Sequence, residues 1–356
     1  MFVNKKQIRT YGCEIFGWGH TTRSDNPKKF KIVTQYNFLK NYIPNESKVK
    51  IFGHPAPFSK KEITEKVQQA IEKIGFETRT FFDGKNYEMA IIAANKCLKT
   101  TGLLPSQIDA FILGTNTGEG YPSGADHVKN GLTLLYNEKS RSNAMCYDMT
   151  EACTVGSIAV FNGWNLIKSG ACKNVMVILS EKGTELADPK EWTESNLFGD
   201  AAAALLLTRS DKESFIFFDI DSLPNDGNLT AIYKNENGYF KQDTRKVHRF
   251  VGDTVSNALT TSIQRAEIDP SKINHIIAHQ PSKKTLDFLE RHIKEKIPTF
   301  KGKFHWDIKD TGNTSSVSTP ALISKLISTG KIKRGDFIFV TTFGAGTSFG
   351  NYGFTY

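Results

Sequence analysis

Cys153 lies in Asp148-Met149-Thr150-Glu151-Ala152-Cys153-Thr154-Val155-Gly156-Ser157, where an extended segment meets the expected start of a helix. Aligned peptide dipoles and unpaired backbone N–H groups at a helix N-terminus favour a thiolate, the nucleophilic form of sulfur. Ala152, Gly156, Ser157 and Ala159 are small enough to let that helix approach another backbone closely. Taken alone, one cysteine is more often a small core residue than a nucleophile. His279, in Ile276-Ile277-Ala278-His279-Gln280-Pro281, ends a strongly apolar strand, where open α/β sheets commonly place ligands. Gly312-Asn313-Thr314-Ser315-Ser316 precedes a helix and by itself reads as a turn and a cap. Phe343-Gly344-Ala345-Gly346-Thr347-Ser348-Phe349-Gly350 can bring a backbone N–H to a reacting carbonyl, as an oxyanion donor does. It lacks the Lys-Ser/Thr ending and the following helix of a phosphate loop. Asn196-Leu197-Phe198-Gly199-Asp200-Ala201-Ala202-Ala203-Ala204 has the small residues needed where a strand passes an active-site wall.

The elements that must position these residues follow a helix-then-strand rhythm. Tyr87–Thr101 carries Met89, Ile92, Ala93 and Cys97 at helical spacing and leads through Gly102 to the strand Ile108–Gly114. Helix Thr154–Ser169 leads to Asn174–Ser180, an apolar run of the kind buried on both faces of a sheet. Ala201–Leu207 and Phe215–Asp221 read as strands, the second returning antiparallel after a turn at Ser210-Asp211. The rhythm then restarts: helix Asp253–Glu267, strand Ile273–Ala278, helix Ser282–Glu295, helix Thr319–Ser328, strand Asp336–Thr342 and a closing strand Asn351–Tyr356. Residues 1–210 and 211–356 thus form two α/β halves with covered sheets and no linker between them. Residues 18–61 are an added loop region with a short helix near Thr34–Lys40.

Composition sets the class. Hydrophobic residues at 39% and charged residues at 23% are ordinary for a folded α/β enzyme and exclude a disordered or fibrous chain. No apolar stretch of signal-peptide or membrane-spanning length precedes Thr21–Lys31, so the expectation is a cytoplasmic protein without membrane insertion. The 5 cysteines are scattered, with no ligand-like spacing, which argues for a reducing compartment and against structural zinc. A net charge of +9 suits nucleic acid, anionic membrane or an acidic protein. No basic run is interleaved with stacking aromatics, so nucleic acid is not expected, and a lysine-rich solvated surface accounts for the charge equally well.

Taken in order, these strings resemble β-ketoacyl-acyl carrier protein synthase III and its relatives in the thiolase superfamily. The family pattern of an A-C-x-G-like nucleophile motif, F-G-D-(G/A)-A, H-Q-x-(N/S), G-N-T-S and a late G-x-G loop is matched over residues 62–356. Gly156 comes one position later than the usual nucleophile glycine, and Ile71–Phe82 is similar to the family's R-T-G-I segment. The resemblance implies a layered α/β/α/β/α thiolase-like fold of two similar halves. It implies that Cys153 carries an acyl group, that the N–H groups of Cys153 and Gly346 form an oxyanion hole, and that His279 and Asn313 stabilise the enolate of a malonyl-type donor. An amide at position 313 donates a neutral hydrogen bond where a carboxylate would repel, which suits decarboxylative carbon–carbon bond formation. No metal or other cofactor is implied; coenzyme A or acyl carrier protein thioesters are the substrates.

The resemblance further places Tyr121, Trp192, Phe198 and Ser282 at the substrate pocket. Trp192 stands where the family has an arginine near the coenzyme A adenine, and Val67–Ala70 lacks the family's aromatic. Glu119 and Glu151 are candidate bases, and Lys283, Lys284 and Arg291 fall where the family docks acyl carrier protein. A homodimer is implied, with Tyr121 reaching across its interface. The reading is a synthase III-like ketosynthase of specialised, polyketide or fatty-acid-derived metabolism. Two alternatives stay open: a ketosynthase/cyclase of the dialkylresorcinol or cyclohexanedione type, and a non-catalytic partner subunit.

Overall fold

Two five-stranded sheets, the helices that cover them and three two-stranded ribbons make up the architecture of the described residues. The computed structural model describes residues 11–35, 37, 50–51, 54–55, 60–138, 143–188, 196–222 and 231–356. The first half contains β1 (Gly12–His20), β2 (Phe30–Thr34), α1 (Lys60–Ile74), β3 (Thr78–Phe82), α2 (Asn86–Thr101), β4 (Ala110–Gly114), α3 (Gly124–Leu135), β5 (Met145–Met149), α4 (Val155–Lys168), β6 (Asn174–Lys182) and β7 (Asp200–Ser210). The second contains β8 (Phe215–Ser222), β9 (Ile232–Lys234), β10 (Phe240–Gln242), α5 (Thr244–Arg249), α6 (Ser256–Arg265), β11 (His275–Ala278), α7 (Lys283–Lys296), β12 (Lys303–His305), α8 (Ser318–Ser328), β13 (Phe337–Gly344) and β14 (Ser348–Thr355).

The sheet orders are β1-β7-β6-β4-β5 and β8-β14-β13-β11-β12. In the first, β6 lies parallel to β4, with Ile178 opposite Leu113, and antiparallel to β7, with Val177 opposite Leu205. Both faces of β4 and β6 are covered, which is why they read as unbroken apolar runs rather than alternating ones. Burying a Val or Leu side chain completely contributes roughly 1.5–3 kcal/mol. Helices α4 and α8 pack between the sheets, α2 and α3 cover the outer face of the first, and α6 and α7 that of the second. The five layers of a thiolase fold result.

Small residues set the layer spacing. A side chain at Gly163 of α4 would meet Leu207 at 2.8 Å, and one at Gly350 of β14 would meet Ser157 at 2.6 Å. Helix α2 buries Met89, Ala93 and Cys97 as its spacing predicts, and Gly102 (φ 71°) closes it by donating its N–H to the Leu98 carbonyl at 2.9 Å.

Two expectations are corrected. Phe215–Ser222 does not pair with its predecessor: β1 and β6 occupy both edges of β7, so β8 crosses to the other sheet and runs antiparallel to β14. The helix expected from Asp253 begins earlier, where Asp243 caps α5 by accepting from the N–H groups of Arg245 and Lys246. A π-helical stretch, Phe250–Val255, joins α5 to α6. Within 18–61, Trp18–His20 end β1 and Phe30–Thr34 form β2, while the short helix expected near Thr34–Lys40 lies mostly outside the described residues. No helix among the described residues is long and apolar enough to cross a membrane.

Candidate active site

The chain leaves β5 through Thr150 and Glu151 and turns sharply at Ala152, whose φ of 47° is left-handed, to put Cys153 in a 3-10 turn that runs into α4. Thr154 holds the turn: its hydroxyl donates to the Glu151 carbonyl at 2.7 Å and lies 2.7 Å from Ser348 Oγ. From the other half, Gly344 at the end of β13 presses on the turn, and a Cβ there would come 2.9 Å from the Cys153 nitrogen and 3.0 Å from its Cβ. Only glycine fits so close an approach.

Cys153 Sγ lies 3.5 Å from Ser315 Oγ, a second non-glycine residue at positive φ (51°). Burial pushes the thiol up to about 12; the Ser315 hydroxyl opposes this and the charge of Glu181 adds to it. The resting residue is therefore a neutral thiol. Desolvation is the largest cause and works against the thiolate expected at a helix N-terminus.

His279 follows β11, anchored by its N–H to the Thr341 carbonyl at 2.8 Å. Its ring is edge-on to Phe343 and its Nδ1 is 2.9 Å from Ser318 Oγ. Burial lowers its pKa to about 3, against a smaller opposite effect of the Ser315 carbonyl, so the imidazole is neutral at physiological pH. The Ser318 hydroxyl also donates to the Ser315 carbonyl at 2.9 Å, so the tautomer of the ring sets which partner donates between Nδ1 and Ser318.

Asn313 is held on both sides, its N–H donating to the Leu197 carbonyl at 2.8 Å and its carbonyl accepting from Gly199 at 3.1 Å. Its Oδ1 accepts from the Ser315 N–H at 2.8 Å, which leaves the Nδ2 hydrogens without a partner among the described residues.

Cys153, His279 and Asn313 line one cavity of about 200 Å³. Phe198, from the small-residue string, is in its wall, edge-on to Phe240 at 4.8 Å. Sequence reasoning passed over the roof, in which the β9–β10 hairpin contributes Ile232 and Phe240, and α5 with the π-helical stretch contributes Val247 and Phe250. Asn237-Gly238 was its signal, a dipeptide suited to a tight hairpin turn, and Gly238 has a φ of 80°. Also passed over were Asn116 and the buried Glu181, a charged residue next to last in an apolar strand.

Other expected site residues lie apart from this cavity. Tyr121 is 100% exposed and does not line it. Ser282 caps α7, accepting from Thr285 N at 3.3 Å. Glu119 accepts from the Asn86 N–H at the start of α2, and Glu151 accepts from Ser222 Oγ at 3.3 Å; neither lines the cavity. Gly346 follows the lining residues Gly344 and Ala345, with Glu151 Oε1 3.5 Å from where its Cβ would stand. Lys283 pairs with Asp287 at 2.8 Å, while Lys284 and Arg291 on the same helix are exposed. Trp192 lies outside the described residues. Among the described residues no cluster of three or more His, Cys, Asp or Glu side chains could hold a metal.

A cysteine at a helix start shares one cavity with a neutral imidazole and an amide from the other half of a thiolase fold, the architecture of the condensing enzymes. The profile "3-Oxoacyl-[acyl-carrier-protein (ACP)] synthase III" matches residues 147–224, and "3-Oxoacyl-[acyl-carrier-protein (ACP)] synthase III C terminal" matches residues 263–355. The β-ketoacyl-[acyl-carrier-protein] synthase III of Aquifex aeolicus is 30% identical over 264 residues, covering 74% of this chain and 81% of that one. A crystal structure of the Aquifex aeolicus VF5 synthase III superposes with a TM-score of 0.80 at 25% identity over 97% of this chain and 100% of the other. The fold is also shared with the priming β-ketosynthase of the R1128 polyketide pathway (TM-score 0.80, 19% identity, 98% of this chain and 97% of that one). OleA of Xanthomonas campestris, crystallised as a point variant, superposes with a TM-score of 0.75 at 17% identity over 98% of this chain and 100% of the other. The chain belongs to the β-ketoacyl-[acyl-carrier-protein] synthase III family and is a condensing enzyme of acyltransferase type.

Proposed function

We propose that this protein joins an acyl thioester to a malonyl-type thioester by decarboxylative Claisen condensation, with the acyl group carried on Cys153. The reading rests on one observation: Cys153, a neutral His279 and the unengaged amide of Asn313 line the same cavity.

In the first half-reaction the Cys153 sulfur attacks the acyl thioester carbonyl. The carrier thiol leaves with the proton and the acyl group stays on sulfur. The backbone N–H groups of Cys153 and Gly346 are the proposed donors to each tetrahedral oxyanion. In the second, the malonyl-type donor loses carbon dioxide, and the electron pair left behind forms an enolate whose oxygen accepts from Asn313 Nδ2 and from the His279 ring in the tautomer that carries its proton on Nε2. Its carbon then attacks the acyl carbonyl, the C–S bond breaks, and the Cys153 thiolate takes up a proton from solvent. Neutral donors suit this step because they stabilise the enolate without holding the departing carboxylate in place.

The starter arrives on coenzyme A or on acyl carrier protein, and the product enters polyketide or fatty-acid-derived metabolism in the cytoplasm. Lys284 and Arg291 supply the positive face for an acidic carrier. A homodimer is supported by the edge of β5, unpaired among the described residues, together with the exposed Tyr121 and Leu134.

Intact-protein mass spectrometry after incubation with acyl-CoA and acyl-carrier-protein thioesters tests the reading. One acyl mass is expected on the wild type and none on Cys153→Ala. Absence of acylation by every thioester would overturn it.

A further inference from the structure

Glu181, next to last in β6, has its side chain fully buried, yet among the described residues only neutral donors reach it. Its carboxylate accepts from the Asn116 N–H at 3.0 Å, Asn116 Nδ2 at 2.6 Å, Thr117 Oγ1 at 3.1 Å and Ser316 Oγ at 2.7 Å. Burying a carboxylate without a counter-ion is costly, and an apolar side chain commonly serves stability as well or better. The partners indicate what else it does.

Asn116 reaches onward to both neighbours of the nucleophile turn. Its Nδ2 also donates to the Ala152 carbonyl at 3.0 Å, and its Oδ1 accepts from Thr150 Oγ1 at 3.0 Å. Ser316 immediately follows Ser315, whose hydroxyl faces Cys153 Sγ and whose N–H orients the Asn313 amide. The two strained backbones beside Cys153, Ala152 and Ser315, are thus one step from the same carboxylate. Residues held at positive φ persist only where their surroundings over-determine them.

We propose that Glu181 is a positioning residue: its carboxylate ties the nucleophile turn, through Asn116, to the Asn313 loop, through Ser316, and so sets the distance between the acyl sulfur and the enolate donors. Burial raises the Glu181 carboxyl above the usual carboxylate range, against the hydrogen bonds from Asn116, Ser316 and Thr117, and once ionised its charge opposes ionisation of Cys153 rather than activating it. The role rests on the condensation reading above.

Two opposite effects distinguish this role from general support of the fold. In Glu181→Gln the condensation kcat is expected to fall about 10²-fold with KM within a few-fold, the cost of a misplaced reacting group. The pH midpoint for iodoacetamide alkylation of Cys153 is expected to move down, because the opposing charge is gone. His279 is neutral over this range, and Glu151 beside the turn and Lys234 at the cavity rim are unchanged by the substitution. Ser316→Ala, which cuts one arm, is expected to lower kcat about tenfold and decides the matter if the glutamine variant does not fold by circular dichroism.

A wild-type kcat in the folded variants overturns the proposal, as does a loss of kcat with an unmoved alkylation midpoint. Alkylation needs no thioester, so failure of wild-type Cys153 to be acylated would sink the condensation reading while leaving this comparison readable.

Discussion

The two halves have the same strand order, two antiparallel strands on one side of a central strand and two parallel strands on the other, with α4 and α8 at matched places between the sheets. They differ in what they place beyond the ends of matching elements. After β4 comes Asn116 and after β11 comes His279; ahead of α4 stands Cys153 and ahead of α8 stand Asn313 and Ser315. Near the ends of the central strands the contrast is sharpest. Glu181 fills that place in the first half, and Gly344, whose missing side chain admits the Cys153 turn, fills it in the second. One half therefore supplies the proposed nucleophile with Glu181 behind it, and the other supplies the proposed neutral donors and room. Neither half holds a complete site.

Separating the halves chemically should break that comparison most severely. Cys153→Ala is expected to lower condensation at least about 10⁴-fold, while release of carbon dioxide from a malonyl thioester, assigned to the second half, survives; radiolabelled carbon dioxide capture checks both. His279→Ala or Asn313→Ala should do the reverse, leaving Cys153 acylation visible by mass and lowering decarboxylation about 10²–10³-fold.

Gly344→Ala probes the contact between halves. A methyl group 2.9 Å from the Cys153 nitrogen should cost about 1–3 kcal/mol in the urea unfolding midpoint and slow acylation.

The buried histidine predicts an acid-sensitive fold. Below pH 6.5 the unfolded chain protonates His279 and the folded chain, with its pKa lowered to about 3, does not. Stability is thus fully present above the unfolded pKa and falls as pH drops through this window, by about 2 kcal/mol at pH 5 from this residue alone. Urea unfolding at pH 7 and pH 5 should show a smaller difference in His279→Gln.

The smallest effect expected is at the surface. Lys284→Glu should raise KM for a carrier-protein thioester a few-fold, with kcat unchanged and the difference shrinking in salt.

Much of this was legible in the chain. The apolar run through Val175–Leu179 reads as a doubly covered strand because both its faces are covered, and Met89, Ala93 and Cys97 read as a helix stripe because they form one. The site strings stood out because close approach demands small residues whatever the fold around them. The roof was harder: Phe240 and Val247 look like ordinary apolar positions, and only contact with Phe198 and the cavity makes them walls. Likewise Phe215–Ser222 has a strand's pattern, but pattern carries no information about which sheet has an open edge.

By itself the sequence determined that Cys153, His279 and Asn313 sit at element ends in an α/β protein, because periodicity and turn chemistry are local. The tertiary structure decided that they share one cavity, that burial favours the neutral thiol and the neutral imidazole, and that Glu181 stands behind the Cys153 turn. Those are consequences of burial and of contacts between residues as far apart as Glu181 and Ser316, and no window of the chain contains them.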